Sequence, residues 1–294
     1  MRLGFLGAAD SWYFRDLKRA AVEHELVPLS FSLLQASVGL DQEAAASGSI
    51  ALGSCEAILV RVMPAGSLEQ VVFRMDVLGQ YERAGGVLVN PAKTVEVAVD
   101  KYLALARLAE AGLPVPATVV CQTAEQAMEA FRRLGGDVVV KPLFGSEGRG
   151  LCRVNDEEVA ERVFRALDVI RSVHYVQRYI EHGNRDWRLL VIGERVLGME
   201  RMHRCDWRTN LSRGAEGRSL VVSSVLEELA LRAARAVGAS LVGVDVLPDQ
   251  QGSYYVIEVN ASPGWRGIQQ VTGVDVARLI VEHLVERAEG AIMR

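Results

Sequence analysis

Two acidic residues and an asparagine near the C-terminus form the first pattern that could do chemistry. Alternating apolar residues predict two β-strands joined by a turn near Gln251 and Gly252. In that register Asp245 lies about opposite Glu258, with Asn260 two residues further on, and like charges placed opposite one another destabilise a sheet. A cation between them would remove the repulsion, and carboxylate and amide oxygens suit Mg²⁺. The hairpin therefore predicts a magnesium site, with an ordinary solvent-facing hairpin as the alternative.

The same two strands should each bury one face. Because side chains alternate across a strand, every second residue is expected in the core. The expected core residues are Val242, Val244, Val246, Tyr255, Ile257 and Val259.

A glycine-rich segment in the middle of the chain is the second pattern. It follows an apolar strand that ends at Lys141, and a charge buried without a partner costs several kcal/mol, so Lys141 requires an anion. Glycines let backbone N–H groups approach a polyphosphate closely. The candidate phosphate-binding residues are Lys141, Gly145, Ser146, Gly148 and Gly150. The spacing fits neither the Walker nor the dinucleotide motif, and a mobile hairpin turn is the alternative.

An arginine-rich segment after Asp186 is the third pattern. Asp186 is suited to accept hydrogen bonds from ribose hydroxyls. A guanidinium group can bind a phosphate or a carboxylate in a bidentate manner, through two parallel hydrogen bonds. The arginines of the loop are Arg201, Arg204, Arg208, Arg213 and Arg218. Two alternatives stay open: a solvated basic loop, and a nucleic-acid surface on which Trp187 and Trp207 stack bases.

Length and composition restrict the class of protein that carries these patterns. The chain has 294 residues, half of them apolar, which suits two or three compact units. Its net charge of -4 is spread along the sequence, which argues against a nucleic-acid or membrane-surface binder. No apolar run is long enough to span a membrane, and the four cysteines form no C-x-x-C pair. We expect a cytoplasmic enzyme with no nucleic-acid or membrane partner.

The order of strand-like and helical runs divides the chain into three parts. Residues 1–92 read as an N-terminal α/β domain with a parallel sheet, expected on the substrate side. Residues 93–174 form a central lobe with the glycine-rich loop, and residues 175–294 a C-terminal lobe with the acidic hairpin. These ranges predict where each chemical pattern lies.

Five motifs in order resemble the ATP-grasp ligases of the RimK type, the α-L-glutamate ligases. They are DKYLALARLAEAGLPVP, VVVKPLFGSEGRG, RDWRLLVIGERV, DWRTNLSRG and DVLP…YYVIEVNASPGWRGIQQVTGVDVARLI. The resemblance covers about residue 90 to the end of the sequence. It implies an α/β and α+β protein with an ATP-grasp fold, in which an N-terminal α/β domain precedes two α+β lobes that clasp ATP.

The resemblance also implies roles for individual residues. ATP would be held by Lys101, Lys141, the glycine-rich loop as a lid, the backbone of Gln177, Arg178, Tyr179 and Ile180 at the adenine, and Asp186 at the ribose. The phosphates and the acylphosphate would be faced by Arg188, Arg201, Asn210 and Arg213. Two Mg²⁺ ions, with Mn²⁺ as a substitute, would be bound by Asp245, Glu258 and Asn260.

The implied reaction joins a carboxylate to an amine. An acceptor carboxylate would take the γ-phosphoryl group of ATP, and L-glutamate would then displace phosphate from the acylphosphate. The acceptor is a small cofactor or a protein tail, and the region around Pro263 resembles the branch associated with tetrahydromethanopterin. Alternatives are another peptide or glutathione-type ligase, a ligase acting on a ribosomal protein C-terminus, or a non-catalytic nucleotide-binding module. A homo-oligomer is expected because symmetric oligomers are common.

Overall fold

The structure, a computed structural model, describes residues 1–39, 45–145 and 148–292. Its strands are β1 (Arg2–Leu6), β2 (Glu25–Leu29), β3 (Leu34–Ala36), β4 (Ala45–Ser47), β5 (Ile50–Ala51), β6 (Ala57–Val60), β7 (Leu88–Val89), β8 (Thr118–Cys121), β9 (Val138–Lys141), β10 (Cys152–Val154), β11 (His174–Arg178), β12 (Arg185–Ile192), β13 (Arg195–Met202), β14 (Glu216–Leu220), β15 (Leu241–Pro248) and β16 (Tyr254–Asn260). Its α-helices are α1 (Trp12–Ala20), α2 (Leu68–Arg83), α3 (Ala92–Val99), α4 (Lys101–Glu110), α5 (Ala124–Arg133), α6 (Glu157–Val169), α7 (Ser224–Ala236), α8 (Arg266–Thr272) and α9 (Val276–Ile292). None of the helices it describes is long and apolar enough to cross a membrane.

The N-terminal sheet is parallel, with strand order β2-β1-β6-β7. Its central strands are apolar on both faces, as expected of a parallel sheet covered on two sides. Leu3 and Phe5 pack with α1 and α9, whereas Leu6 and Ile58 pack with α2 on the opposite face. Strands β3 to β5 form a small separate antiparallel sheet.

The central sheet is antiparallel, with order β10-β9-β11-β8, and is backed by α5 and α6. Both helices begin at a side-chain cap: Thr123 accepts from the Gln126 N–H, and Asp156 accepts from the Val159 N–H. Ala127, Phe131, Phe164 and their neighbours give this sheet a hydrophobic core of its own.

The C-terminal sheet is antiparallel, with order β14-β13-β12-β15-β16. One face packs on α7 and α4 through residues such as Leu189 and Val244. The other face is apolar at one end of β12 and polar at the other. Leu190 and Ile192 join the core around α9, whereas Asp186 and Arg188, on the same face, are polar. The polar end of that face forms one wall of a cleft, and the apolar end ties the sheet to the N-terminal domain.

Asn90 adds a polar connection between these two domains. Its side chain is fully buried, donates to the carbonyls of Leu241 (2.6 Å) and Ala261 (2.8 Å), and accepts from the N–H groups of Ser240 and Leu241. All of its side-chain hydrogen-bonding groups are therefore satisfied without water.

The acidic hairpin has the predicted register at its centre but not beyond it. Asp245 pairs with Glu258, and the three valines of β15 are buried as expected. The register then shifts between Asp245 and Val246, so that Val246 pairs with Val256. The buried residues of β16 are consequently Val256 and Val259. The expected burial of Tyr255 and Ile257 was wrong, because both are only half-buried.

Candidate active site

The C-terminal wall of the cleft consists of Asp186, Arg201, Asp245 and Glu258, and Arg188 supports it by pairing with Asp245. The Arg201 guanidinium donates to both oxygens of Asp186 at 2.7 and 2.6 Å and to Asp245 Oδ1 at 2.9 Å. The Arg188 Nε lies 2.6 Å from Asp245 Oδ1, and its Nη2 donates to Oδ2 at 3.0 Å. Two guanidinium groups therefore hold one carboxylate.

The strand register explains this network. Asp186 faces Arg201 across β12 and β13, and Arg188 faces Asp245 across β12 and β15. A Cβ at Gly243 would meet the Arg188 guanidinium, so the glycine leaves room for the arginine in this position. Burial alone would lower the pKa of Arg201, but the carboxylates of Asp245 and Asp186 outweigh burial and raise it, so Arg201 stays charged.

Glu258 and Asn260 follow on the neighbouring strand. The Glu258 carboxylate makes no hydrogen bond or ion pair with any residue in the described ranges, although it faces Asp245. Asn260 Oδ1 accepts from the Ser262 N–H at 2.8 Å. Within the described ranges no group of three or more His, Cys, Asp and Glu residues gathers as a metal cluster. Two carboxylates nevertheless fit Mg²⁺, which commonly takes one or two carboxylates and completes its shell with phosphate and water.

The central wall of the cleft consists of Lys141 and Gln177 of the central sheet. Lys141 Nζ donates to Gln177 Oε1 at 2.7 Å and lies 5.8 Å from the centre of the Tyr175 ring. Burial lowers the pKa of Lys141 to about 8, and nearby Lys101 adds to this, whereas the carboxylates of the C-terminal wall oppose it. Those carboxylates are thus close enough to act on Lys141 across the cleft.

Lys101 and the glycine-rich loop lie at the edge of the central wall. Lys101 is the first residue of α4, after the N-cap Asp100, and its Nζ donates to the Gly145 carbonyl at 2.7 Å. Gly145 and Gly150 have positive φ angles of 139° and 75°. Ser146 lies outside the described residues. A hydrogen bond therefore joins the lysine to the start of the loop.

The connection between the two walls runs through residues 177–180. The N–H groups of Arg178 and Tyr179 donate to the carbonyls of Ala117 (2.8 Å) and Asp137 (3.0 Å). The Ile180 N–H has no hydrogen-bond partner in the part of the chain that the structure describes. Because Ile180 lines the cleft, its N–H is a backbone donor that remains open to a ligand.

A loop from the C-terminal lobe approaches the glycine-rich loop. Gly148 has a φ of +69°, and a Cβ there would lie 2.5 Å from Asn210 Oδ1. Arg213 ends the short 3₁₀ turn Leu211–Arg213 that follows Asn210; its Nε lies 3.6 Å from Asp206 Oδ2, and it does not line the cleft. Gly148 and Asn210 are therefore neighbours, and both line the cleft.

Most of the residues singled out from the sequence meet in this cleft. Those that line it are Lys141, Gly148, Gln177, Arg178, Tyr179, Ile180, Asp186, Arg201, Asn210, Asp245 and Glu258. Those that do not line it are Lys101, Gly145, Gly150, Arg188, Arg213 and Asn260. Arg188 nevertheless reaches the cleft network through Asp245.

Sequence reasoning missed several residues that line the cleft. They include His182 and Thr209, and the motif DWRTN next to Asn210 was the signal that could have identified Thr209. Arg208 and Trp207, both named in the sequence, also line the cleft, and the Trp207 ring packs edge-on against Tyr179 at 6.0 Å. Trp187 packs on Tyr254 with the core on the opposite face of the C-terminal sheet, so Trp187 and Trp207 form no shared stacking surface.

Comparison with known proteins agrees with this architecture. Residues 98–284 match the RimK-like ATP-grasp domain. The chain is 32% identical to the tetrahydromethanopterin:alpha-L-glutamate ligase of Methanosarcina acetivorans, over 94% of this chain and 95% of that protein. It is 34% identical to a probable alpha-L-glutamate ligase of Sodalis glossinidius over 72% of each chain.

A solved structure supports the same fold. The ATP-grasp ligase PsnB, complexed with minimal precursor, Mg and ADP, is similar with a TM-score of 0.76 and 19% identity, over 98% of both chains. The predicted ATP-grasp fold is confirmed. The chain is an ATP-grasp ligase and belongs to the RimK-like ATP-grasp family.

Proposed function

We propose that this protein adds L-glutamate to a carboxylate acceptor in an ATP-dependent reaction that passes through an acylphosphate and releases ADP and phosphate. The observation that carries the proposal is the opposition of charges across the cleft. Within the described ranges, Lys141 on the central wall has no carboxylate in contact, and Glu258 on the C-terminal wall has no cation in contact. A magnesium-bound polyphosphate would satisfy both.

The nucleotide would span the two walls. Its phosphates would meet Lys141, Lys101 and the glycine-rich loop, and its adenine would meet the free Ile180 N–H. Asp186 would meet the ribose with the lone pairs that Arg201 leaves free. The backbone of residues 177–180 would fix the adenine plane.

Asp245, Glu258 and Asn260 would hold Mg²⁺, as two ions or with Mn²⁺ in its place. The bound metal would neutralise charge on the phosphate oxygens. The Arg188 and Arg201 guanidiniums would hold the Asp245 carboxylate in place, because both already contact it.

The chain's own residues would position the reactants and stabilise charge. An acceptor carboxylate oxygen attacks the γ-phosphorus, the bond to the β-phosphate oxygen breaks, and ADP leaves. The glutamate amine then attacks the acyl carbon, a C–N bond forms, phosphate leaves, and the nitrogen loses a proton. Arg201 and Asn210, which line the cleft, would stabilise the negative charge, Arg188 and Arg213 would contribute from outside its lining, and no side-chain nucleophile is required.

The acceptor is proposed from the relatives. The name of the Methanosarcina relative specifies tetrahydromethanopterin, and the match covers nearly the whole of both chains. We therefore propose an acceptor of that cofactor type. The name of the Sodalis relative specifies L-glutamate but no acceptor, so it supports the amino acid alone. A peptide or protein-tail acceptor is the alternative to test against.

An ADP-release assay with L-glutamate held constant and the acceptor varied tests the proposal. The expected result is ADP formation that requires both substrates, with a product that mass spectrometry shows to be heavier by glutamyl residues. The acceptors are tetrahydromethanopterin, a ribosomal protein C-terminal peptide and a glutathione precursor. ADP release that is indifferent to L-glutamate would contradict the assignment.

A further inference from the structure

A buried arginine in the N-terminal domain has no acidic partner among the residues that the structure describes. Arg61 is 5% exposed and follows β6 directly, at the carboxyl end of a parallel strand. Its Nη1 donates to the Pro263 carbonyl at 3.0 Å, whereas its Nε and Nη2 make no hydrogen bond to any residue of the described ranges. Ligands of open parallel sheets bind at the carboxyl ends of the strands.

Aromatic rings hold this guanidinium in place. Its Cζ lies 4.9 Å from the centre of the Tyr13 ring and 4.8 Å from that of Trp265, at cation–π distance. A Cβ on Gly7 would lie 2.9 Å from the Arg61 Cβ, and a Cβ on Gly264 would lie 2.5 Å from the Tyr13 hydroxyl. Both glycines therefore leave room for a fixed arrangement of Arg61 and Tyr13.

The charge of Arg61 is not balanced as the charge of Arg201 is. Arg201 contacts Asp186 and Asp245, but no carboxylate within the described ranges contacts Arg61. Burial lowers the pKa of Arg61 to about 10, which still leaves the group charged at neutral pH. A buried cation without an anion is unfavourable, so an anionic ligand would stabilise it.

Arg61 contacts the loop that follows the strand of the proposed metal site. Pro263 belongs to the loop that continues β16 after Glu258 and Asn260, and the Ser262 hydroxyl in that loop donates to the Val60 carbonyl at 3.4 Å. The arginine thus lies where the N-terminal domain meets the strand of the proposed metal site. In the proposed reaction the amino acid reacts through its amine, so both of its carboxylates persist and require cationic partners.

We propose that Arg61 and the Tyr13 hydroxyl form a binding subsite for a substrate carboxylate, that of the incoming amino acid. This inference rests on the proposed ligase function. The same chemistry could come from a carboxylate of the acceptor, and separate titrations distinguish the two sources.

Calorimetric titration of enzyme saturated with magnesium and a non-hydrolysable ATP analogue tests the subsite. In Arg61→Gln the Kd for L-glutamate should rise by about tenfold or more, because charge-assisted hydrogen bonds are lost. The Kd for the nucleotide analogue should change less than about twofold, since the subsite lies outside the nucleotide contacts. A rise confined to the Kd for tetrahydromethanopterin would overturn the amino-acid assignment and give the subsite to the acceptor carboxylate.

Three further variants separate binding from folding. Arg61→Lys should lose less affinity than Arg61→Gln because it keeps the charge, and Tyr13→Phe should lose about threefold because it lacks only a hydroxyl. Arg83→Gln, which changes an exposed arginine of the same domain, should bind as wild type. Wild-type affinity for both substrates in Arg61→Gln and Tyr13→Phe would overturn the subsite alone. A wild type that binds the nucleotide but neither substrate would overturn both proposals.

Discussion

On the C-terminal wall two guanidiniums contact Asp245 and one of them also contacts Asp186, whereas on the central wall Lys141 donates to an amide oxygen and lies near an aromatic ring, with no carboxylate in contact among the described residues. The first wall is arranged by charge pairs within the protein. The second has a lysine that the carboxylates of the facing wall influence only from across the cleft. It follows that the C-terminal wall is prepared before the nucleotide binds, and that the central wall gains most of its electrostatic stabilisation from binding.

The largest effect is expected at the carboxylate of the C-terminal wall that lacks a cation. Glu258→Ala should lower the rate of ADP formation by about 10³-fold, because charge stabilisation of the phosphates is lost, while the protein stays folded. Turnover and circular dichroism measure the two effects. Glu227→Ala, which changes an exposed glutamate on α7, is the matched control and should be active. Normal turnover in Glu258→Ala would refute the metal assignment.

Removing an internal charge pair should affect stability next. Asp186→Asn leaves buried Arg201 with Asp245 alone and should lower the free energy of unfolding by about 3 kcal/mol. Urea denaturation measures the loss. Asp275→Asn breaks the exposed pair with Arg19 and should cost less than about 1 kcal/mol. If both variants lost the same free energy of unfolding, the buried charge pairs would stabilise the C-terminal wall no more than an exposed ion pair does.

The central wall should show a pH dependence that the other wall lacks. Lys141 is charged below its pKa of about 8 and neutral above it, so nucleotide affinity should fall as the pH rises through that value. We expect the Kd for MgATP to rise about tenfold between about pH 7.5 and 9. Lys141→Arg keeps its charge over this range and should remove the dependence. If the Kd of the wild type for MgATP were equally independent of pH, the charge of Lys141 would not be required for nucleotide binding.

The smallest effect is expected where the two loops meet. Gly148→Ala should lower kcat/KM about fivefold, because a positive φ costs about 1 kcal/mol in alanine and the methyl group would displace Asn210. Gly252 has a similar φ of +86°, and a Cβ added there would have no neighbouring atom within 4 Å. Gly252→Ala is therefore the control that shows the effect of backbone strain without a new side-chain contact. If both variants lose activity equally, the contact with Asn210 is unimportant.

Local patterns predicted much of the site. The register of Asp245 with Glu258 followed from alternation and turn chemistry, and Lys141 ends a buried apolar strand as predicted, whereas its anion stays a prediction. The register shift after Asp245 could not be predicted in this way, because a β-bulge leaves no signal in the alternation of neighbouring residues. The predicted burial of Tyr255 and Ile257 was wrong for that reason.

Contacts between residues that are far apart in the chain could not be predicted from the sequence. Arg201 meets Asp186 and Asp245 only after three strands have paired, and Arg61 meets Trp265 only after the first and last parts of the chain have packed. The domain boundaries at residues 92 and 174 and the role of each site residue stay predictions. Mutation of single residues tests those roles.

The shared core around α9 has a consequence for synthesis of the protein. The strands β1 and β6 leave the ribosome early, but the helix that covers one face of their sheet is translated long afterwards. Leu3, Phe5 and Leu59 therefore lack their final covering on the nascent chain until α9 emerges. The N-terminal domain thus completes its fold only after α9 has been translated, although its sheet is made first.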